Sequence, residues 1–234
     1  MIRRISTICA ITAAVMLATT FARPAAAQTL ADEAAQVRRV PRPPQRHLGL
    51  RAFAAFDADA MVASSTFDAV LGTHILSARG AGGELLNLWK GLFIRVAATR
   101  TTKTGSRVVV VDKEAVPLGI PLTVEMVPVE FGAGWRRGVG QRGQGGWYAG
   151  GGLVHLVYRE TSKFAGVGEN TNTTFNGAVV FAGADVRIWH FIVGGGEVQV
   201  RSIPNALGTG GASQAFSETN LGGVTARGLI GIRF

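Results

Sequence analysis

Beyond residue 46 the chain shows no sustained helical period; apolar and polar positions instead alternate one by one in short stretches, separated by Gly, Pro, Asn, Ser and Thr. The sharpest stretch is Gly196-Glu-Val-Gln-Val-Arg201, which puts Glu197, Gln199 and Arg201 on one face and Val198 and Val200 on the other. From Ala178 to Ile188 a continuous apolar face opposes Asp185 and Arg187. The last stretch sets Val224, Ala226, Gly228, Ile230, Ile232 and Phe234 against Thr225, Arg227, Leu229, Gly231 and Arg233. A period of two is the signature of a strand with one apolar side. The same test predicts eight strands, at about 47–56, 82–89, 91–102, 120–135, 146–160, 174–188, 191–203 and 222–234.

The connections alternate as well. Trp89-Lys90-Gly91 and Trp189-His190-Phe191 leave room only for tight turns, and Arg136 to Gly145 is moderate, whereas 57–81, 103–119, 161–173 and 204–221 are longer. Short turns at one end and long loops at the other predict an all-β fold, an eight-stranded antiparallel up-and-down barrel whose ends face different compartments. In the fourth strand Glu125 and Glu130 fall on opposite faces and Pro121 and Pro128 interrupt the run, which predicts a bulge near Pro128.

Closed barrels of this size occur in soluble ligand carriers and in membranes, and periodicity alone does not say which face is inside. The apolar face of most strands carries Ala, Val, Ile and Leu without charge; the opposite faces collect Arg51, Arg95, Glu125, His155, Arg159, Asp185, Arg187, Glu197, Arg201 and Arg227. Trp89, Trp135, Trp147, Tyr148, Trp189 and Phe191 gather at the short-turn end, with Tyr158 nearer the other, as interfacial girdles do. The chain closes on Gly228-Leu-Ile-Gly-Ile-Arg-Phe234, an amphipathic strand with a terminal aromatic. In these features it resembles the bacterial outer-membrane β-barrel superfamily, the small porin-like proteins of OmpA- and OmpW-type architecture. That resemblance covers residues 47–234. It implies short periplasmic turns, long extracellular loops, an outer-membrane location, contact with outer-membrane lipids, and Phe234 as the signal read by the barrel-insertion machinery.

The amino terminus reads differently. Residues 1–27 run from Met1-Ile-Arg-Arg through an apolar stretch to Arg23-Pro24-Ala-Ala-Ala27, the pattern of a cleaved secretory signal peptide. Cleavage removes the chain's single cysteine, Cys9, and three arginines, so the formal charge falls from +9 to +6. The segment 28–46 becomes basic and proline-rich around Pro41-Arg-Pro-Pro44 and is expected to be an extended periplasmic tether. With 47% hydrophobic and only 17% charged residues, and 32 glycines without a Gly-X-Y repeat, neither a disordered chain nor collagen fits. Gly150-Gly-Gly152 and Gly194-Gly-Gly196 fall in mid-strand, where they relieve curvature or make room for bulky lumen neighbours.

No catalytic, cofactor or metal site emerges. Gly138-Val-Gly-Gln-Arg-Gly143 lacks the helix that a phosphate loop needs and reads as a turn. His47, His74, His155 and His190 have no metal-ligand spacing; His155, taken as lumen-facing, is a hydrogen-bonded lumen residue or the base of an outer-membrane lipid-modifying enzyme. Basic residues are dispersed, which argues against nucleic acid. The strongest constellation is a lumen charge network of Arg95, Glu125, His155, Arg159, Asp185, Arg187, Glu197, Arg201 and Arg227. It reads as a plug of salt bridges, or as a narrow path whose surplus arginine favours anions. The apolar segment from Asp57 to Ala81 is a candidate cap or a seat for a hydrophobic solute. The expected function is a non-enzymatic structural barrel or a porin-like passage for small solutes; a secreted soluble barrel with a hydrophobic ligand is the remaining alternative.

Overall fold

The computed structural model describes residues 48–111, 114–139, 144–162, 164, 170–208 and 211–234. The expected leader 1–27, the tether 28–46 and residues 140–143 of the glycine-rich turn lie outside the described residues. Eight antiparallel strands close into one barrel in chain order: β1 Gly49–Met61, β2 Ile75–Trp89, β3 Leu92–Val111, β4 Glu114–Val139, β5 Gly145–Thr161, β6 Thr171–Trp189, β7 Ile192–Ser202 and β8 Gly223–Arg233. Closure leaves no open edge within the barrel wall, which is what lets a sheet cross hydrocarbon.

Paired residues trace the tilt of the strands. The row Arg51, Glu84, Arg95, Gly132, Gly152, Val179, Arg201, Gly223 returns to β1 at Met61, ten residues along from its start. A barrel with that stagger has an interior that side chains just fill.

The direction of the alternation separates the two barrel types. Val198 is 56% exposed and Arg201 9% exposed, and Val180, Val224, Ile230 and Ile232 also face out. The apolar face is therefore the outer wall, which excludes a soluble carrier with an apolar interior. Trp89, Trp135, Trp147, Trp189, Phe191 and Phe234 are exposed in a girdle at the short-turn end, where Trp89 and Trp135 pack edge to face at 6.1 Å. Tyr148 and Tyr158, expected in the girdles, are buried inside. Among the described residues no helix is long and apolar enough to cross a membrane.

Lys90 and Gly91 connect β2 to β3, both at positive φ (43° and 98°), the backbone that matches strand twist in a two-residue hairpin. Of the segment 103–119, expected as a loop, the described residues 103–111 and 114–119 are instead strand: β3 and β4 stay paired past the last rungs with β2, Arg79↔Arg100, and β5, Thr123↔Thr161. The bulge expected at Pro128 is absent there, since Ala98↔Val129 and Thr101↔Met126 keep one register. The shift falls between Ser106↔Pro121 and Val108↔Pro117, where two prolines lack N–H donors and Gly119 sits at φ +69°.

Between β1 and β2 the helix α1, Ser64–Leu71, packs into the mouth at the long-connection end. Phe67 and Leu71 join Leu122, Met126, Leu156, Ile203 and Leu221 in one apolar cluster. The cap expected from the apolar residues of 57–81 is thus helical. A second short helix, α2 Gly211–Ala215, lies in the β7–β8 connection.

Candidate functional site

The lumen is built in layers. Alternation turns Arg51, Asp57, Asp59, Glu84, Arg95, Glu130, Arg136, Asp185, Glu197, Arg201 and Arg227 inward, and all are buried. Toward the short-turn end, Arg51 donates to Glu84 at 3.2 Å and to Asp185 at 3.0 Å, and Arg136 pairs with Asp185. At mid-height, Arg95 forms a two-pronged pair with Glu197 at 2.5 and 3.0 Å. Arg227 clasps Asp57, with two bonds of 2.8 Å, and Glu130, with bonds of 2.9 and 3.2 Å. Gln199 Nε2 donates to both Glu130 and Glu197, at 3.2 and 2.6 Å, and so ties the Arg95 and Arg227 clusters together. Above them Arg201, Thr225 and Asp59 form a third group, with Arg201 donating to Thr225 Oγ1 at 2.7 Å.

Aromatics fill the remaining space. Phe93, Tyr148 and Phe181 pack at centroid separations of 5.9 to 6.5 Å, and the Arg95 guanidinium lies 3.5 Å from the Phe181 ring centroid. Glycine makes this possible: a Cβ at Gly150 would sit 2.6 Å from Phe181 Cζ, and one at Gly183 would sit 2.6 Å from the Tyr148 hydroxyl. A charge in such a low-dielectric space is tolerated only when paired and hydrogen-bonded, and these pairs share partners across strands distant in sequence.

Of the residues expected in the lumen from the sequence, Arg95, Asp185, Glu197, Arg201 and Arg227 are brought together. Arg187 occupies an inward register position but lies exposed at the short-turn rim. Glu125, His155 and Arg159 face outward, a correction to their expected place. Glu125 accepts from Arg100 Nε at 3.0 Å, His155 Nδ1 lies 2.8 Å from Asn176 Oδ1, and Arg159 donates to Asn172 at 3.3 Å. They stand near or beyond the edge of the apolar belt, where the outer wall itself becomes polar.

Asp57, Asp59, Glu84, Glu130 and Arg136 complete the lumen cluster, although the sequence pattern does not single them out as lumen charges; Gln199, on the polar face of Glu197 and Arg201, joins it. Asp57 and Asp59 had a usable signal, since Phe56-Asp-Ala-Asp-Ala60 continues the alternation of β1. Their inclusion also removes the expected arginine surplus: the buried ionisable groups are six carboxylates and five arginines among the described residues. Among those residues no group of three or more His, Cys, Asp or Glu is arranged to hold a metal. A small pocket remains between the charged layers and the mouth, lined by Asp59, Thr101, Met126, Leu156 and Arg201, with a volume of about 20 Å³.

No family model and no curated protein sequence matches the chain. Solved structures do. A major outer membrane protein from Thermus thermophilus superposes with a TM-score of 0.52 at 8% identity, covering 80% of this chain and 99% of its own. The attachment invasion locus protein Ail of Yersinia pestis gives 0.45 at 11% identity, covering 80% and 97%, and Neisserial surface protein A gives 0.45 at 12%, covering 80% and 96%. At such identity the Thermus likeness speaks for the fold alone: the chain shares with that outer-membrane protein the fold of a closed antiparallel β-barrel.

Proposed function

We propose that the protein is a non-enzymatic structural barrel of a bacterial outer membrane with a closed lumen, exported by the leader 1–27 and inserted through recognition of its terminal Phe234. The observation that carries this reading is the ion-paired waist, in which Arg51, Arg95 and Arg227 each engage two carboxylates of other strands, with the apolar α1 plug above it. Phe234 is outward, 59% exposed, and exchanges backbone hydrogen bonds with Leu50, so it closes the barrel seam at the aromatic girdle.

The test is reconstitution into planar bilayers together with outer-membrane fractionation. Wild-type protein is expected to fractionate with the outer membrane, migrate heat-modifiably on denaturing gels and show no steady ion conductance. A steady wild-type conductance would favour a porin-like passage for small solutes instead. Glu197→Ala, which removes the closer of the two carboxylates at Arg95, is expected to lower stability; unchanged stability with altered conductance would sink the structural reading.

A further inference from the structure

The outer wall of β2 to β5 is uneven. Gly83, Ala133 and Gly151 are small where Leu85, Phe131 and Leu153 project, and between them lies a groove of about 630 Å³ open to the lipid side. A Cβ at Gly83 would meet only Arg51 O, at 3.7 Å, so the absence of a side chain there is not imposed by packing. Four residues further along β2 and β3, toward the long connections, Arg79 and Arg100 stand directly opposite each other, both exposed on the outer wall. At about 3.3 Å per residue the two features are separated by roughly 13 Å along the strands.

Two cations facing across one rung destabilise a sheet unless an anion joins them, and a place at the edge of the apolar belt is where lipid headgroups supply one. Glu125 answers part of the charge on Arg100, at 3.0 Å, and is itself paired in register with Arg159. Arg79, Arg100, Arg159 and Glu125 together leave this outer patch, among the described residues, with a net charge of two positives.

We propose that this wall is a binding site for a lipid bearing a phosphate monoester, with the phosphate between Arg79 and Arg100 and one acyl chain in the groove below. A phosphate monoester carries close to two negative charges and offers oxygens that two guanidinium forks engage together, whereas a phosphodiester headgroup brings one. The site rests on the reading of the barrel as membrane-spanning and deepens it by naming a lipid class.

The test uses the full mature chain folded in mild detergent and read by native mass spectrometry, with three probes: bis-phosphorylated lipid A, the same lipid dephosphorylated, and phosphatidylglycerol. Wild type is expected to retain the phosphorylated lipid about tenfold better than either other probe. Arg79→Gln combined with Arg100→Gln should abolish that preference, and Gly83→Phe should lower retention with the arginines intact. Equal retention of the phosphorylated and dephosphorylated lipids by wild type would overturn the proposal, as would unchanged preference in the arginine variant or unchanged retention in Gly83→Phe. Heat-modifiable migration of the same samples separates the two readings: its loss in wild type fails the membrane barrel, whereas equal retention in a heat-modifiable barrel fails only the lipid site.

Discussion

The waist and the mouth of this barrel close the same lumen by opposite means. At the waist, buried arginines and carboxylates from β1, β2, β3, β4, β6, β7 and β8 share partners, so that Glu130 serves Arg227 and Gln199, and Glu197 serves Arg95 and Gln199. At the mouth, Phe67 and Leu71 of an eight-residue helix fill the space by apolar contact. An ion-paired layer fails all at once, because deleting one partner leaves another charge buried alone; an apolar layer fails by degrees, as a cavity. The waist is thus expected to fail cooperatively, and the mouth to loosen on its own.

The largest effect should come from the waist. Arg227→Met leaves Asp57 and Glu130 without their main partner and is expected to cost about 3–5 kcal/mol. Urea unfolding of the protein in lipid vesicles measures it. If stranded charge is the cause, adding Asp57→Asn and Glu130→Gln should recover at least half of the loss; equal loss in the single and triple variants would contradict it.

How much of this was legible follows from the physics of the wall. Lipid favours an apolar outer face, so the eight strands and the separation of Glu197, Arg201 and Arg227 from the apolar face could be read from alternation, while their inward direction needed the aromatic girdle and the final strand as well. Alternation gives the face of a residue but not its height along the strand. Glu125, His155 and Arg159 are polar because the outer wall becomes polar toward the long connections, a boundary that period two does not mark. At Pro128 the chain tolerates proline without a shift of register, and a bulge placed there hides the shared inward face of Met126, Glu130 and Arg136. Asp57 and Asp59 have the composition of loop residues, which shortens the expected first strand. Partner choice, such as Arg95 with Glu197 across 102 positions, depends on closure of the barrel and has no local sequence signal.

The mouth should respond differently to a comparable loss of contact. Phe67→Ala removes a buried ring from the apolar cluster and is expected to cost about 3 kcal/mol, confined to α1 and the strand ends around it. Hydrogen exchange should then rise in residues 64–71 while the waist strands keep their protection. Bilayer conductance should stay closed, because the ion pairs below are untouched; a conducting Phe67→Ala barrel would show that the waist alone does not seal the lumen.

The smallest expected effect tests how the cover is held. Ala63, at the N-cap of α1, supplies no side-chain cap, and the first-turn donors are satisfied instead by Glu218 from the β7–β8 connection. Its carboxylate accepts from Ser65 N at 3.0 Å, Thr66 N at 2.8 Å and Thr66 Oγ1 at 2.6 Å, where a negative charge also suits the helix dipole. Glu218→Gln keeps the shape but removes the charge and one acceptor oxygen, so about 1 kcal/mol should be lost from helix docking. The readout is the exchange of the Ser65 and Thr66 amides, which should quicken several-fold while the global unfolding midpoint stays put. Unchanged exchange would mean that the apolar contacts of Phe67 and Leu71 hold the helix without the latch, making the mouth as self-sufficient as the waist.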